Sequence, residues 1–260
     1  MLTPLFIAGE IVPDGTDFRN TAHFRYKADL FVPCGGRPEA VNISNVAGLL
    51  DAEGKPHFKY IVEGANLFFT QQARLFLEKR KVVMFKDSSA NKGGVTSSSL
   101  EVLVGLGLAD ADHAQCMTFK EGSSPPDFYQ AYVKDIQARV SENAALEFGC
   151  IWAEYERLGG AKPRCVISDE LSQTITDLQD ELEASALFDD QRARQGVLRA
   201  AIPRTLLDKA GYEALVGRLP EPYQRTLFAS YVASKFIYTF GVRAGNVDFY
   251  KFASGLANKA

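Results

Sequence analysis

Three nearly unbroken apolar runs constrain this chain more than any other feature: "ADLFVPC" (28–34), "KYIVEGA" (59–65) and "KVVMFKD" (81–87). Each passes into a polar or glycine-containing turn, and helix-like stretches such as "PEAVNISNVAGLL" (38–50) and "TQQARLFLEKR" (70–80) follow. A strand that is apolar at almost every position is covered on both faces, the condition of a parallel sheet with crossover helices. The rhythm predicts an α/β unit extending to about residue 110. An earlier run, "LFIAGEIV" (5–12), closed by "PDG", reads as a hairpin or part of one.

Beyond residue 110 the strand signal gives way to helical periodicity. Phe128, Tyr132, Ile136, Val140, Ala144, Phe148, Ile151, Tyr155 and Leu158 recur every three or four positions, predicting one apolar stripe on a long helix with Asp127 as its cap. A second helix is expected after Ser168, with Leu171, Ile175, Leu178 and Leu182 on one face. Pro203 and "LPEP" (219–222) interrupt later helices, and "YQRTLFASYVASKFIYTF" and "VDFYKFASGL" complete the set, the last with Asn246 as its cap. The expected organisation is an α/β unit over 1–110, a linker over 111–126 containing "KEGSSPPD", and an all-helical region over 127–260.

Composition removes several function classes. At 260 residues and 46% hydrophobic the chain is long enough to bury a sizeable core. A formal charge of −3 with both signs interspersed provides no basic stripe, which argues against nucleic acid and membrane surfaces as partners. No apolar run approaches the roughly 20 residues of a membrane span. Cys34, Cys116, Cys150 and Cys165 are widely spaced, and with three histidines they form no metal-ligand pattern. Scattered thiols suit a reducing compartment. The cytoplasm is therefore the expected location, with the mitochondrion as the alternative.

In open parallel sheets ligands bind in the crevice beyond the carboxyl ends of the strands, so the turns there are the candidates. The first holds Cys34, Gly35 and Gly36, where missing side chains let backbone N–H groups approach a ligand, or simply make a tight turn. The second holds Glu63, Gly64 and Asn66, and an Asn amide both donates and accepts. The third, "KDSSANKGGVTSSSLEVL" (86–103), holds Asn91, Gly93, Gly94 and the hydroxyls of Thr96, Ser97, Ser98 and Ser99 ahead of an apolar helix. One hydroxyl suffices for a cap, which Thr96 or Ser97 would supply. Four leave spare donors at the positive end of a helix, where an anionic group is stabilised. Cys34 has no histidine near it in sequence and reads as a small buried hydrophobe; His23, His57 and His113 read as surface or loop residues.

Taken together, "PDGTDFRNTAHFRYK", "ADLFVPCGGRPEAVN", "EGANLF" and "KDSSANKGGVTSSSLE" resemble the cofactor domain of the glutamate dehydrogenases, within the glutamate, leucine, phenylalanine and valine dehydrogenase family. The resemblance is strongest to the large-subunit, NAD-specific branch over residues 13–108 and extends through the helical remainder. It implies a partial doubly wound (Rossmann-like) parallel sheet followed by the all-helical region. It also implies oxidative deamination of L-glutamate to 2-oxoglutarate and ammonium, with NAD as cofactor and a homo-oligomeric assembly. On that reading Cys34, Gly35 and Gly36 line the nicotinamide side of the cofactor, Asn66 and Asn91 hold its ribose and carboxamide, and Ser98 binds the side-chain carboxylate of glutamate.

Departures from the family pattern set further expectations. The chain has no G-x-G-x-x-G turn for a pyrophosphate, and the family's catalytic lysines and aspartate lie in an N-terminal domain that would precede Met1. No catalytic residue is therefore assigned. The chain is expected to be a C-terminal piece without the catalytic half, with weak NAD affinity and an exposed edge on its first strand. The alternative is a catalytically inactive paralogue that associates with full-length subunits or binds a nucleotide.

Overall fold

The three apolar runs form three strands, β1 (Ala28–Phe31), β2 (Phe58–Val62) and β3 (Val83–Phe85), paired in parallel in the order β1-β2-β3. Leu30 lies opposite Tyr60, and Ile61 opposite Met84. The computed structural model describes residues 15–256, so the hairpin expected at 5–12 falls outside the described residues. The chain divides into two compact units between Asn91 and Lys92. Helix α1 (Gly15–Arg25) precedes β1, α2 (Gln71–Lys79) joins β2 to β3, and the single turn α3 (Asp87–Ala90) follows β3. Among the described residues the first unit is thus α/β, as expected.

Its core is built from Val41, Val46, Leu49, Ile61, Phe68, Phe69, Leu77 and Met84, with Phe24 and Phe31 packed against it. Each such side chain contributes about 1.5–3 kcal/mol when fully buried. Thr70 caps α2 by accepting the Ala73 N–H at 3.3 Å. The segment 38–50 departs from the expected helix and forms turns with one 3-10 turn, Val46–Leu49. The cause is local. Asn45 Oδ1 accepts the Asn42 N–H at 2.8 Å, Asn45 Nδ2 donates to the Ala40 carbonyl at 2.9 Å, and Asn42 Oδ1 accepts the Ser44 N–H at 3.0 Å. Asn side chains that bond the nearby backbone outcompete a helix.

The second unit is all-helical among the described residues: α4 (Gly93–Gly107), α5 (Asp110–Met117), α6 (Asp127–Arg157), α7 (Arg164–Glu183), α8 (Gln191–Ala201), α9 (Arg204–Ala210), α10 (Tyr212–Arg218), α11 (Glu221–Phe240) and α12 (Asn246–Leu256). Prolines 126, 163, 203 and 220 stand at the N-caps of α6, α7, α9 and α11, where the fixed φ of Pro begins a helix without costing it a hydrogen bond. Pro126, not Asp127, is the cap of α6, and α7 starts before Ser168. Central α11 buries Phe228, Ala229, Val232, Ala233, Phe236 and Ile237 and packs on α7 and α8.

Two differences from the sequence reading follow from packing. Helix α4 belongs to the helical unit, because Leu100, Leu103, Val104 and Leu108 enter the same core as Leu206, Leu215 and Phe228. Within the expected linker, α5 takes the first part and irregular chain occupies 118–126. On α6 the expected stripe is interrupted: Phe148 is exposed, stacked on Trp152 at 5.8 Å, while Glu147 is buried. The Arg164 guanidinium lies over Trp152 at 5.2 Å and over Tyr155 at 3.6 Å.

Candidate functional site

The carboxyl ends of β1, β2 and β3 each open into one of the candidate turns, and backbone hydrogen bonds stitch the first two together. The Pro33 carbonyl accepts the Ala65 N–H at 2.6 Å, and the Leu67 carbonyl accepts the Glu39 N–H at 2.7 Å. A β-carbon on Gly64 would lie 3.1 Å from Cys34 Sγ and 3.2 Å from the Pro33 carbonyl, so glycine is what lets these loops approach. Gly36 has φ +129°, and a β-carbon there would meet the Phe68 ring at 2.8 Å. Cys34 and Gly35 are exposed, with open space over Gly35. The expectation that Cys34 is buried is corrected: it sits on the rim.

The third turn joins the other two through Leu67. Its N–H donates to Asp87 Oδ2 at 2.7 Å, while its carbonyl faces Glu39. Both Leu67 (φ 55°) and Glu39 (φ 56°) are left-handed, a conformation that costs a non-glycine residue about 1–2 kcal/mol. Such strain persists only where the surroundings over-determine it. Asn91 closes α3, its N–H bonded to the Asp87 carbonyl at 2.7 Å. Cys34, Gly35, Gly36, Asn66 and Asn91 are thereby gathered at one end of one sheet, with Asn66 exposed and Asn91 half-buried.

Beneath this rim lies a buried ion cluster that periodicity did not reveal. Arg74 donates from Nε to Glu63 Oε1 at 2.7 Å and from Nη2 to Glu63 Oε2 at 2.8 Å, and the same Nη2 lies 3.3 Å from Asp87 Oδ1. All three residues are buried. Burial holds the Glu63 carboxyl above its ordinary value, and Arg74 offsets only part of that rise.

Ser98 belongs to the helical unit, in the second turn of α4. It is exposed, and its Oγ donates to the Val95 carbonyl at 3.1 Å; Ser97 does the same to Gly94. Neither Thr96 nor Ser97 caps the helix. α4 starts at Gly93, which places them inside the helix, and Lys92 is the N-cap residue without a side-chain cap bond. The helix is gripped from outside: Tyr132 OH donates to the Leu100 carbonyl at 2.6 Å and Tyr223 OH to the Ser99 carbonyl at 3.4 Å. At its head, Lys92 Nζ meets Glu147 Oε2 at 2.5 Å, and Tyr238 OH donates to the same oxygen at 2.5 Å. Burial, then the Glu147 charge, push the Tyr238 hydroxyl well above its ordinary value.

Among the described residues no group of three or more His, Cys, Asp or Glu side chains is placed to hold a metal, and all four cysteines are free. His23 is buried on α1, which corrects its reading as a surface or loop residue, and His113 is half-buried on α5. No helix among the described residues is long and apolar enough to cross a membrane.

Comparison with known proteins bears on this arrangement. The family model described as glutamate/leucine/phenylalanine/valine dehydrogenase matches residues 8–159, more than half of the chain and all three strand-end turns. An NAD-specific glutamate dehydrogenase of Neurospora crassa is 48% identical over 95% of this chain, and glutamate dehydrogenase 2 of Dictyostelium discoideum is 46% identical over 95%. An NAD-specific glutamate dehydrogenase of Saccharomyces cerevisiae is 41% identical over 97%. The chain spans 23%, 24% and 24% of the lengths of these three relatives. No solved structure matches it. With the match running through every turn that carries a candidate residue, the chain belongs to the glutamate, leucine, phenylalanine and valine dehydrogenase family.

Proposed function

We propose that this chain is part of an NAD-dependent glutamate dehydrogenase, which oxidatively deaminates L-glutamate to 2-oxoglutarate and ammonium. The observation that carries the reading is the convergence of three strand-end turns on Leu67, which gathers glycine-rich backbone and two carboxamides on one rim. Open space over Gly35 and the exposed Asn66 fit a planar, amide-bearing ligand approached by backbone and side-chain donors. When bound, NAD supplies the hydride acceptor. Cys34, Gly35 and Gly36 line its nicotinamide side, and Asn66 and Asn91 orient its ribose and carboxamide. In the helical unit Ser98 offers a hydroxyl, and the first turn of α4 a positive helix end, to the side-chain carboxylate of glutamate.

Kinetics of the full-length gene product test the reading through NADH formation from glutamate. Ser98→Ala removes one hydrogen bond to a charged group, about 1.5–3 kcal/mol, and should raise the KM for glutamate by roughly tenfold or more. Asn91→Ala should raise the KM for NAD instead. An enzyme indifferent to both substitutions would rule the assignment out.

A second reading, association with other subunits of the same kind, is favoured by the exposure of Leu30 (48%), Val32 (43%) and Tyr60 (49%) on β1, β2 and the turn after β1. The two readings are compatible, because an enzyme of this family would use such a surface in a homo-oligomer.

A further inference from the structure

We propose that Arg74 is a positioning residue for the strand-end site: by pairing with Glu63 and Asp87 together, it fixes the backbone of Leu67 and with it the loops that carry Cys34, Gly35, Gly36, Asn66 and Asn91. The inference rests on the cofactor reading of those residues, but its mechanical part stands on geometry alone. Leu67 touches both neighbouring turns, through its N–H to Asp87 and its carbonyl to Glu39. A left-handed leucine keeps that place only while both bonds are held. Asp87 has one oxygen on the Leu67 N–H; its other oxygen accepts the Ser88 N–H at 2.9 Å and faces Arg74 at 3.3 Å.

The guanidinium is what ties the three structural parts together. It projects from α2, grips the last carboxylate of the β2 run with two parallel bonds, and reaches the first residue of α3 with one of the same nitrogens. Glu63 in turn faces the Phe69 N–H at 3.4 Å, on the far side of the same turn. A planar fork suits two acceptors at fixed angles, whereas a lysine in its place keeps the charge and loses the fork. Without the guanidinium two buried carboxyl groups would lose their shared partner, so the cluster depends on how Arg74 is held. A helix, a strand end and the next turn therefore move as one body, and the rim above inherits that rigidity.

The test separates the clamp from the cofactor. Amide hydrogen exchange is measured on the 260-residue chain, native and Arg74→Lys, at residues 63–69 and 87–91. Exchange about tenfold faster there, with the strand interiors unchanged, is the expected result. Unchanged exchange overturns the proposal. Asp87→Asn, which keeps the shape and an acceptor for Leu67, provides the same readout if Arg74→Lys does not fold. In the full-length gene product Arg74→Lys should raise the KM for NAD about tenfold and leave the KM for glutamate unmoved. Faster exchange with an unaltered KM for NAD would overturn the positioning role. If the unaltered protein shows no NAD-linked turnover, the cofactor reading itself fails, and exchange alone decides whether Arg74 holds the rim.

Discussion

Buried on α1, His23 stacks against Phe24 at 4.1 Å, Phe31 at 5.8 Å and Phe68 at 5.4 Å, and its Nε2 has no hydrogen-bond partner among the described residues. Burial lowers its pKa from the ordinary 6.5, so the folded chain keeps it neutral while the unfolded chain protonates it near 6.5. The unfolded state then binds more protons, and stability falls as pH drops below 6.5 toward the depressed folded value. Thermal unfolding between about pH 7 and about pH 5 should show a steeper loss for the native chain than for His23→Leu. Equal slopes would mean that the ring finds a partner for its proton. At this scale the sequence was partly legible. Glu63, Asn66 and Asn91 stand out because a polar side chain ending an apolar run is conspicuous. Arg74 does not, since in "TQQARLFLEKR" it looks like one more solvated charge; only the packed α2 turns it inward beside Ala73 and Leu77.

Helices carry the next level of organisation, and α4 depends on its neighbours at the point where Lys92 meets Glu147 of α6, whose carboxylate also accepts from Tyr238 of α11. Glu147 is 1% exposed, whereas the Lys92 side chain is 19% exposed and has a path to water. The pair is therefore asymmetric. Lys92→Met strands a buried carboxylate with Tyr238 alone and should cost about 3–5 kcal/mol. Glu147→Gln leaves an ammonium that can reach solvent, and the loss should be nearer 1 kcal/mol. Denaturant unfolding of the 260-residue chain measures both, and the reverse order would show that the carboxylate is better compensated than its contacts indicate. Periodicity located α2, α6 and α11 because a long amphipathic pattern has few alternative readings. It misjudged 38–50, where Asn42 and Asn45 take over the backbone, and it counted Phe148 as inward where Glu147 is buried. Apolar spacing cannot flag a buried charge whose partners come from distant helices.

Across the whole chain, alternation between apolar runs and helices was enough to predict a parallel sheet followed by helices. The boundary was harder to read. The leucines of α4 reveal a buried face, yet nothing in their spacing says which core receives it, and they join the helical one. At the sheet, β1 lies at one edge and has Ala28, Asp29 and Leu30 exposed. Among the described residues no strand pairs with the outer side of β1, and an edge of that kind beside exposed Leu30 and Tyr60 is a template for further pairing. Sedimentation of the 260-residue chain should therefore show concentration-dependent association, reduced by Leu30→Lys; a monomer at every concentration would deny the edge that role. The aromatic stack on α6 has a different consequence for the molecule as a whole. Trp152 is the single tryptophan of the chain and sits in the helical unit between Phe148 and the Arg164 guanidinium. Its intrinsic emission is thus a lamp built into the helical unit, one that dims or shifts as α6 and α7 melt.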